Sequence, residues 1–144
     1  MKKVLIGIDK SESAFNAAKY GINYAVANNL EIGIVEVSNY AIGNIDAGVL
    51  PEEADKTNQS QSKANVGRLK ALFPNVVMKE FEPIGKPVDE IKKIIEGWGA
   101  DMLIIGHQTH GLLHKVFSTN IEEQLVNHIN IPLLIVPENN NSKG

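Results

Sequence analysis

Two short stretches of this 144-residue chain bring together side chains able to do chemistry. The first is Asp9, Ser11 and Ser13, directly after the apolar run Val4 to Ile8. The second runs from Asp101 to Ile121. There an apolar run, Met102 to Ile105, ends at Gly106, and a polar loop leads to a helix start near Thr119. In open α/β sheets ligands sit where strand ends meet helix starts, because the free N–H groups and dipole of a helix start favour anions. A phosphate cradle at such a place calls for glycine, since only a residue without Cβ lets the backbone close on the anion. Gly106 and Gly111 are available for that purpose.

Other chemistries fit the same residues less well. His107, His110 and His114 lie in one segment, and neutral imidazoles bind zinc or nickel, but no carboxylate lies among them and no fourth ligand is evident. They read as solvated loop residues, and His110 and His114 make the loop's charge sensitive near neutral pH. Asp9 with Ser11 or Ser13 and a loop histidine resembles a nucleophilic triad in composition only. The serines stand at a helix start, and the chain has no G-x-S-x-G nucleophile elbow. The plainer reading of Asp9 and Ser11 is helix capping, a role compatible with ligand contact at the same helix start. No catalytic residue and no metal ligand is assigned.

The elements that must position these residues alternate along the chain. Val4 to Ile8 is a short, nearly all-apolar strand, as expected when helices cover both faces of a parallel sheet. Phe15, Ala18, Ile22, Ala25 and Val26 recur at helical spacing and predict a helix from about Ser13 to Asn28. Glu31 to Val37 reads as the second strand. The polar segment from Ser38 to Thr57 is long for a connection and reads as a flap or an interaction surface. Ser62, Val66, Leu69 and Phe73 share one helical face before a third strand at Val76 to Phe81, whose alternation marks it as exposed and near a sheet edge. Pro87 opens a helix with Val88, Ile91, Ile94, Ile95 and Trp98 inward, and Gly97 and Gly99 stop it. Met102 to Ile105 is the fourth strand, a helix with Ile121, Leu125 and Ile129 inward follows, and Pro132 to Val136 is the fifth. Glu138 to Gly144 reads as a disordered tail. Five strands alternating with four helices make a single-domain α/β protein with a doubly wound parallel sheet.

Composition narrows the function classes. With 43% hydrophobic and 22% charged residues the chain fits one globular domain. The absence of cysteine excludes disulfides and thiolate chemistry and suits a reducing cytosol. A net charge of −3 with no evident basic face argues against nucleic acid. Lys2, Lys3 and the run to Ile8, broken by Asp9, are too short for a signal sequence. The expectation is a soluble cytoplasmic protein bound to no membrane.

Several motifs, taken in order, carry a resemblance. Val4-Leu5-Ile6-Gly7-Ile8-Asp9 followed by Ser11 and Ser13, the Gly85-Lys86-Pro87 turn, Ala100-Asp101-Met102-Leu103-Ile104-Ile105-Gly106, and Ile131-Pro132-Leu133-Leu134-Ile135-Val136-Pro137 resemble the universal stress protein family over residues 1–137. The resemblance implies a flavodoxin-like or Rossmann-like sheet ordered 3-2-1-4-5. It also implies a homodimer through the strand Ile131 to Val136 and does not imply an enzyme, slow ATP hydrolysis being left open; any protein partner is unidentified. The family's ATP-binding branch carries G-x-x-G, nine residues, then G and S or T. On this chain those positions fall at Gly106, Thr109, Thr119 and Asn120, which places it closer to the branch without bound nucleotide. The other contacts the resemblance implies are Asp9 beside the adenosine and backbone at Val37. A vestigial or weak nucleotide site would thus consist of Asp9, Val37, Ile105, Gly106, Thr109, Thr119, Asn120 and Ile121. The function so implied is a dimeric regulatory or protective module that needs no cofactor. The alternatives are an ATP or AMP sensor, with Mg²⁺ as helper, and a metal-dependent or acyl-transfer enzyme. The apolar fifth strand gives dimerisation a motive of its own, since an edge leaves backbone groups unpaired.

Overall fold

The structure is a computed structural model that describes residues 1–38, 65–107 and 119–138. Strand β1 (Lys3–Gly7) leads to helix α1 (Glu12–Ala27) and strand β2 (Glu31–Val35). Helix α2 is described over 65–72. Then follow β3 (Met78–Phe81), α3 (Pro87–Ile94) with a wide π-helical turn over Ile95–Gly99, β4 (Met102–Gly106), α4 (Thr119–His128) and β5 (Leu133–Val136). All strand pairs are parallel and the sheet order is β3-β2-β1-β4-β5, as the resemblance implied.

Alternate strand residues feed two separate cores, because successive side chains leave a strand on opposite faces. Val4, Ile6, Ile32, Ile34, Ile104 and Val136 pack with Ala14, Phe15, Ala18, Ile22, Val66 and Leu69 of α1 and α2. Leu5, Val35, Leu103 and Ile105 pack on the other face with Val88 and Ile91 of α3, Ile95 of the π-turn and Leu125 of α4. Helices therefore cover both faces, which is why the runs Val4 to Ile6 and Met102 to Ile105 are apolar without interruption.

Element ends differ from the sequence expectation by one or two residues, for local reasons. The β2 ladder with β1 ends at Val35, opposite Gly7. Extended pairing continues past it on the β3 side, where Glu36 and Ser38 donate to the carbonyls of Phe81 and Pro83. Strand β3 starts at Met78 because the Val76 N–H turns back to the Phe73 carbonyl and Val77 stands 90% exposed. Helix α1 begins one residue early, at Glu12, and ends where Asn29 takes φ 57°. Such left-handed residues are common helix stops, and asparagine tolerates the conformation.

The π-turn carries Trp98 onto the sheet at Gly33. A Cβ on Gly33 would lie 2.9 Å from the indole ring, so glycine is what lets the indole close on β2. Phe81 meets the same indole edge-on at 5.6 Å. The core role expected for Trp98 is thus observed. Strand β5 forms one edge, with Ile135 37% exposed. No helix among the described residues is long and apolar enough to cross a membrane.

Candidate functional site

The strand order reverses between β1 and β4, and their carboxyl ends open the crevice where such folds take ligands. Asp9 stands two residues beyond β1 and is 5% exposed. Its Oδ1 accepts the Ser11 N–H at 2.8 Å. Its Oδ2 has no hydrogen-bond partner among the described residues. Burial pushes the Asp9 carboxyl above its ordinary range, against the lowering effect of the Ser11 hydrogen bonds and the Lys10 charge. A carboxylate buried with one oxygen unpaired is costly, and such groups call for an explanation beyond folding.

Ser11 is the N-cap of α1, and its Oγ accepts the Ala14 N–H at 3.0 Å. Capping therefore divides between two side chains: Ser11 serves the helix, and Asp9 serves the turn that leads into it. Ser13 Oγ donates to the His107 carbonyl at 3.2 Å, tying the start of α1 to the end of β4. Among the described residues neither hydroxyl is held by an imidazole.

At the end of β4, Gly106 has a packing role. A Cβ there would lie 3.0 Å from Ala17 Cβ and 3.1 Å from the Ser13 carbonyl oxygen. The His107 N–H donates to the Val136 carbonyl, continuing the β4–β5 ladder. The His107 imidazole is not a freely solvated loop group: Nδ1 lies 2.7 Å from Glu122 Oε2. Glu122 sits in the first turn of α4, 8% exposed, where a negative charge suits the helix dipole. Among the described residues no group of three or more His, Asp or Glu side chains is placed to hold a metal ion.

The other expected site residues divide into three groups. Val37 is buried in the second core, and Ile105 is a fully buried core residue, so each has only its backbone to offer a ligand. Ile121 packs against that same core from α4. Thr119 and Asn120 open α4, their side chains outside the described part, while Thr109, His110, His114, the segment 39–64 and the tail 139–144 lie outside the described residues.

Sequence reading missed the clamp behind the Asp9 turn. Asn65 of α2, 4% exposed, donates its amide to the Asp9 carbonyl at 2.8 Å and the Ser11 carbonyl at 3.3 Å. Its Oδ1 accepts from Arg68, which also makes a two-pronged pair with Glu12 at 3.0 and 3.1 Å and lies 3.6 Å from the Phe15 ring centroid. The available signal was a polar residue four positions before Leu69, on the apolar stripe of the helix. Glu122, three before Leu125, carried the same signal.

Comparisons with known proteins agree with the fold. The model of the "Universal stress protein family" matches residues 1–137. Among solved structures, the universal stress protein UspA from Lactobacillus plantarum superposes with TM-score 0.77 at 15% identity, covering 94% of this chain and 97% of that one. A universal stress protein in complex with cAMP gives 0.60 at 18% identity, covering 95% and 97%. The universal stress protein from Archaeoglobus fulgidus in complex with dAMP gives 0.65 at 15% identity, covering 94% and 98%. No curated protein matches the sequence.

Proposed function

The chain belongs to the universal stress protein family, and from that premise we propose that it is a non-catalytic, dimeric regulatory or protective module that binds adenine nucleotides weakly, by their adenosine end. The observation that carries this reading is the buried Asp9 carboxylate at the switch point, with Oδ1 held by Ser11 and Oδ2 unpartnered among the described residues. An oxygen of that kind is suited to accept from a ribose hydroxyl or an amine. Two universal stress proteins of the same fold were solved with cAMP and dAMP, adenine nucleotides that each carry a single phosphate. The phosphate end has less to offer. The glycine positions of the ATP-binding branch read Thr109 and Thr119 here, and Asn120 replaces the hydroxyl. The Gly106 that remains is accounted for by α1 packing on β4.

Dimerisation through β5 fits its place at the sheet edge, where Ile135 is partly exposed. The cysteine-free composition fits a cytoplasmic location. Calorimetry with adenosine, AMP, cAMP and ATP, with and without Mg²⁺, tests the ligand reading. Adenosine, AMP and ATP should bind within about tenfold of one another, equivalent to about 1.4 kcal/mol, and indifferently to Mg²⁺. ATP binding far more tightly than AMP, or no binding of any adenosine compound at millimolar concentration, refutes it.

A further inference from the structure

We propose that Asn65 is a positioning residue for the ligand site, fixing the Asp9 turn in the shape that holds the Asp9 carboxylate ready for a ligand; this rests on the adenosine reading above. The orientation of its amide is determined by its partners. Arg68 can only donate, and the Asp9 and Ser11 carbonyls can only accept, so the Asn65 oxygen must face Arg68 and the nitrogen must face the turn. One buried side chain from α2 thus satisfies two carbonyls of the β1–α1 connection. The Ser11 carbonyl also takes the first helical bond of α1, from Phe15 at 3.2 Å.

The turn needs such an external hold. Asp9 is buried against its own desolvation cost, which the Ser11 hydrogen bonds and the Lys10 charge only partly offset, and Oδ2 has no hydrogen-bond partner among the described residues. Left to itself, a connection of this length relaxes by swinging the carboxylate toward water, which removes the penalty and also the ligand contact. With the Asp9 and Ser11 carbonyls both tied to Asn65, the backbone on either side of Lys10 cannot make that swing. Arg68 has a different part: it anchors α2 to α1 through Glu12 and Phe15 and only steadies the far side of the Asn65 amide. Loss of Arg68 should therefore lower stability while leaving both bonds to the turn in place.

The test compares full-length wild type with Asn65→Ala, Asn65→Asp and Arg68→Ala, titrating AMP well below the melting temperature of each. Asn65→Asp keeps the size of the side chain and its contact with Arg68 but has no proton to donate, so it preserves the anchor and removes the hold. Both Asn65 variants should weaken AMP binding about tenfold, and Arg68→Ala no more than about threefold despite a comparable loss of stability. NMR titration of the Asp9 carboxyl carbon gives a second readout that stability alone does not move. Its midpoint should fall toward the ordinary carboxylate range in Asn65→Ala and stay in place in Arg68→Ala. Unchanged AMP affinity in the Asn65 variants, or affinity falling in step with stability across all three, overturns the inference. If wild type binds no AMP, the adenosine reading has failed, and the Asp9 midpoint alone decides on Asn65: a midpoint unmoved by Asn65→Ala overturns the positioning role.

Discussion

Gly106→Ala separates two explanations of the one glycine that this chain shares with the nucleotide-binding motif. The added methyl would sit 3.0 Å from Ala17 Cβ, 3.1 Å from the Ser13 carbonyl oxygen and 3.5 Å from Ala14 Cα. None of these atoms can turn aside, since two belong to the α1 backbone and the third is a methyl with no rotamer. Helix α1 must therefore lift from β4 by a few tenths of an ångström, stretching the 3.2 Å bond from Ser13 Oγ to the His107 carbonyl. Overpacking of this kind costs about 1–3 kcal/mol, and the unyielding backbone contact argues for the upper half of that range. Urea denaturation of wild type, Gly106→Ala, Ala17→Gly and the double variant measures the cost. Ala17→Gly alone loses about 1 kcal/mol as a glycine inside a helix. In the double variant the coupling should be favourable by about 1 kcal/mol, and rescue should be incomplete because the Ser13 oxygen remains. A Gly106→Ala protein within about 0.5 kcal/mol of wild type would refute the packing argument. Such a protein, if it also lost AMP binding, would return the glycine to the ligand.

Three further outcomes follow from the same contacts. Because the native carboxyl of Asp9 holds its proton more tightly than the unfolded chain does, Asp9 should make stability fall as pH rises from the ordinary carboxylate range through its raised midpoint. Glu12 and Asp101, both lowered, act in the opposite sense as pH falls below that range. The difference in unfolding free energy between wild type and Asp9→Asn, followed against pH, isolates the first effect, and the variant should be about 1 kcal/mol the more stable near neutrality. A wild type that outlasts Asp9→Asn at pH 7 contradicts it. Ser11→Ala should cost about 1 kcal/mol in thermal or urea unfolding through loss of the bond from the Ala14 N–H, with Ser11→Asp recovering most of it. For the proposed dimer, wild type should sediment as a dimer and Ile135→Lys on the β5 edge as a folded monomer; a monomeric wild type, or a variant that stays dimeric, refutes dimerisation through β5.

The framework was legible because buried parallel strands announce themselves. Val4 to Ile8 and Met102 to Ile105 are unbroken apolar runs, and the stripes of α1 and α3 have no competing pattern. The sequence could not show which face each strand residue would meet, since that depends on sheet order. Gly33 is an example: nothing near it in sequence says that Trp98, brought in by the π-turn, closes on it at 2.9 Å from where a Cβ would stand. The site was half legible. Asp9 and Ser11 declared themselves by standing between a strand and a helix. Asn65 and Glu122 did not, because a polar residue on an apolar stripe looks like a boundary of that stripe until a partner distant in sequence explains it. His107 read as a solvated loop residue for the same reason: its partner lies 15 residues on, in the first turn of α4.

A residue at a motif position is evidence for the motif's function only after its packing duties are subtracted. Gly106 fails that test, since α1 would exclude a side chain there with or without a ligand. Ser11 and Ser13 fail it too, one occupied as an N-cap and the other as a tie to β4. Val37 and Ile105 belong to the second core. What remains is Asp9 Oδ2, which no helix, cap or ladder among the described residues engages and whose burial works against the fold. A buried carboxylate held from another helix by Asn65 is the feature that the adenosine reading proposed above accounts for and that packing alone does not.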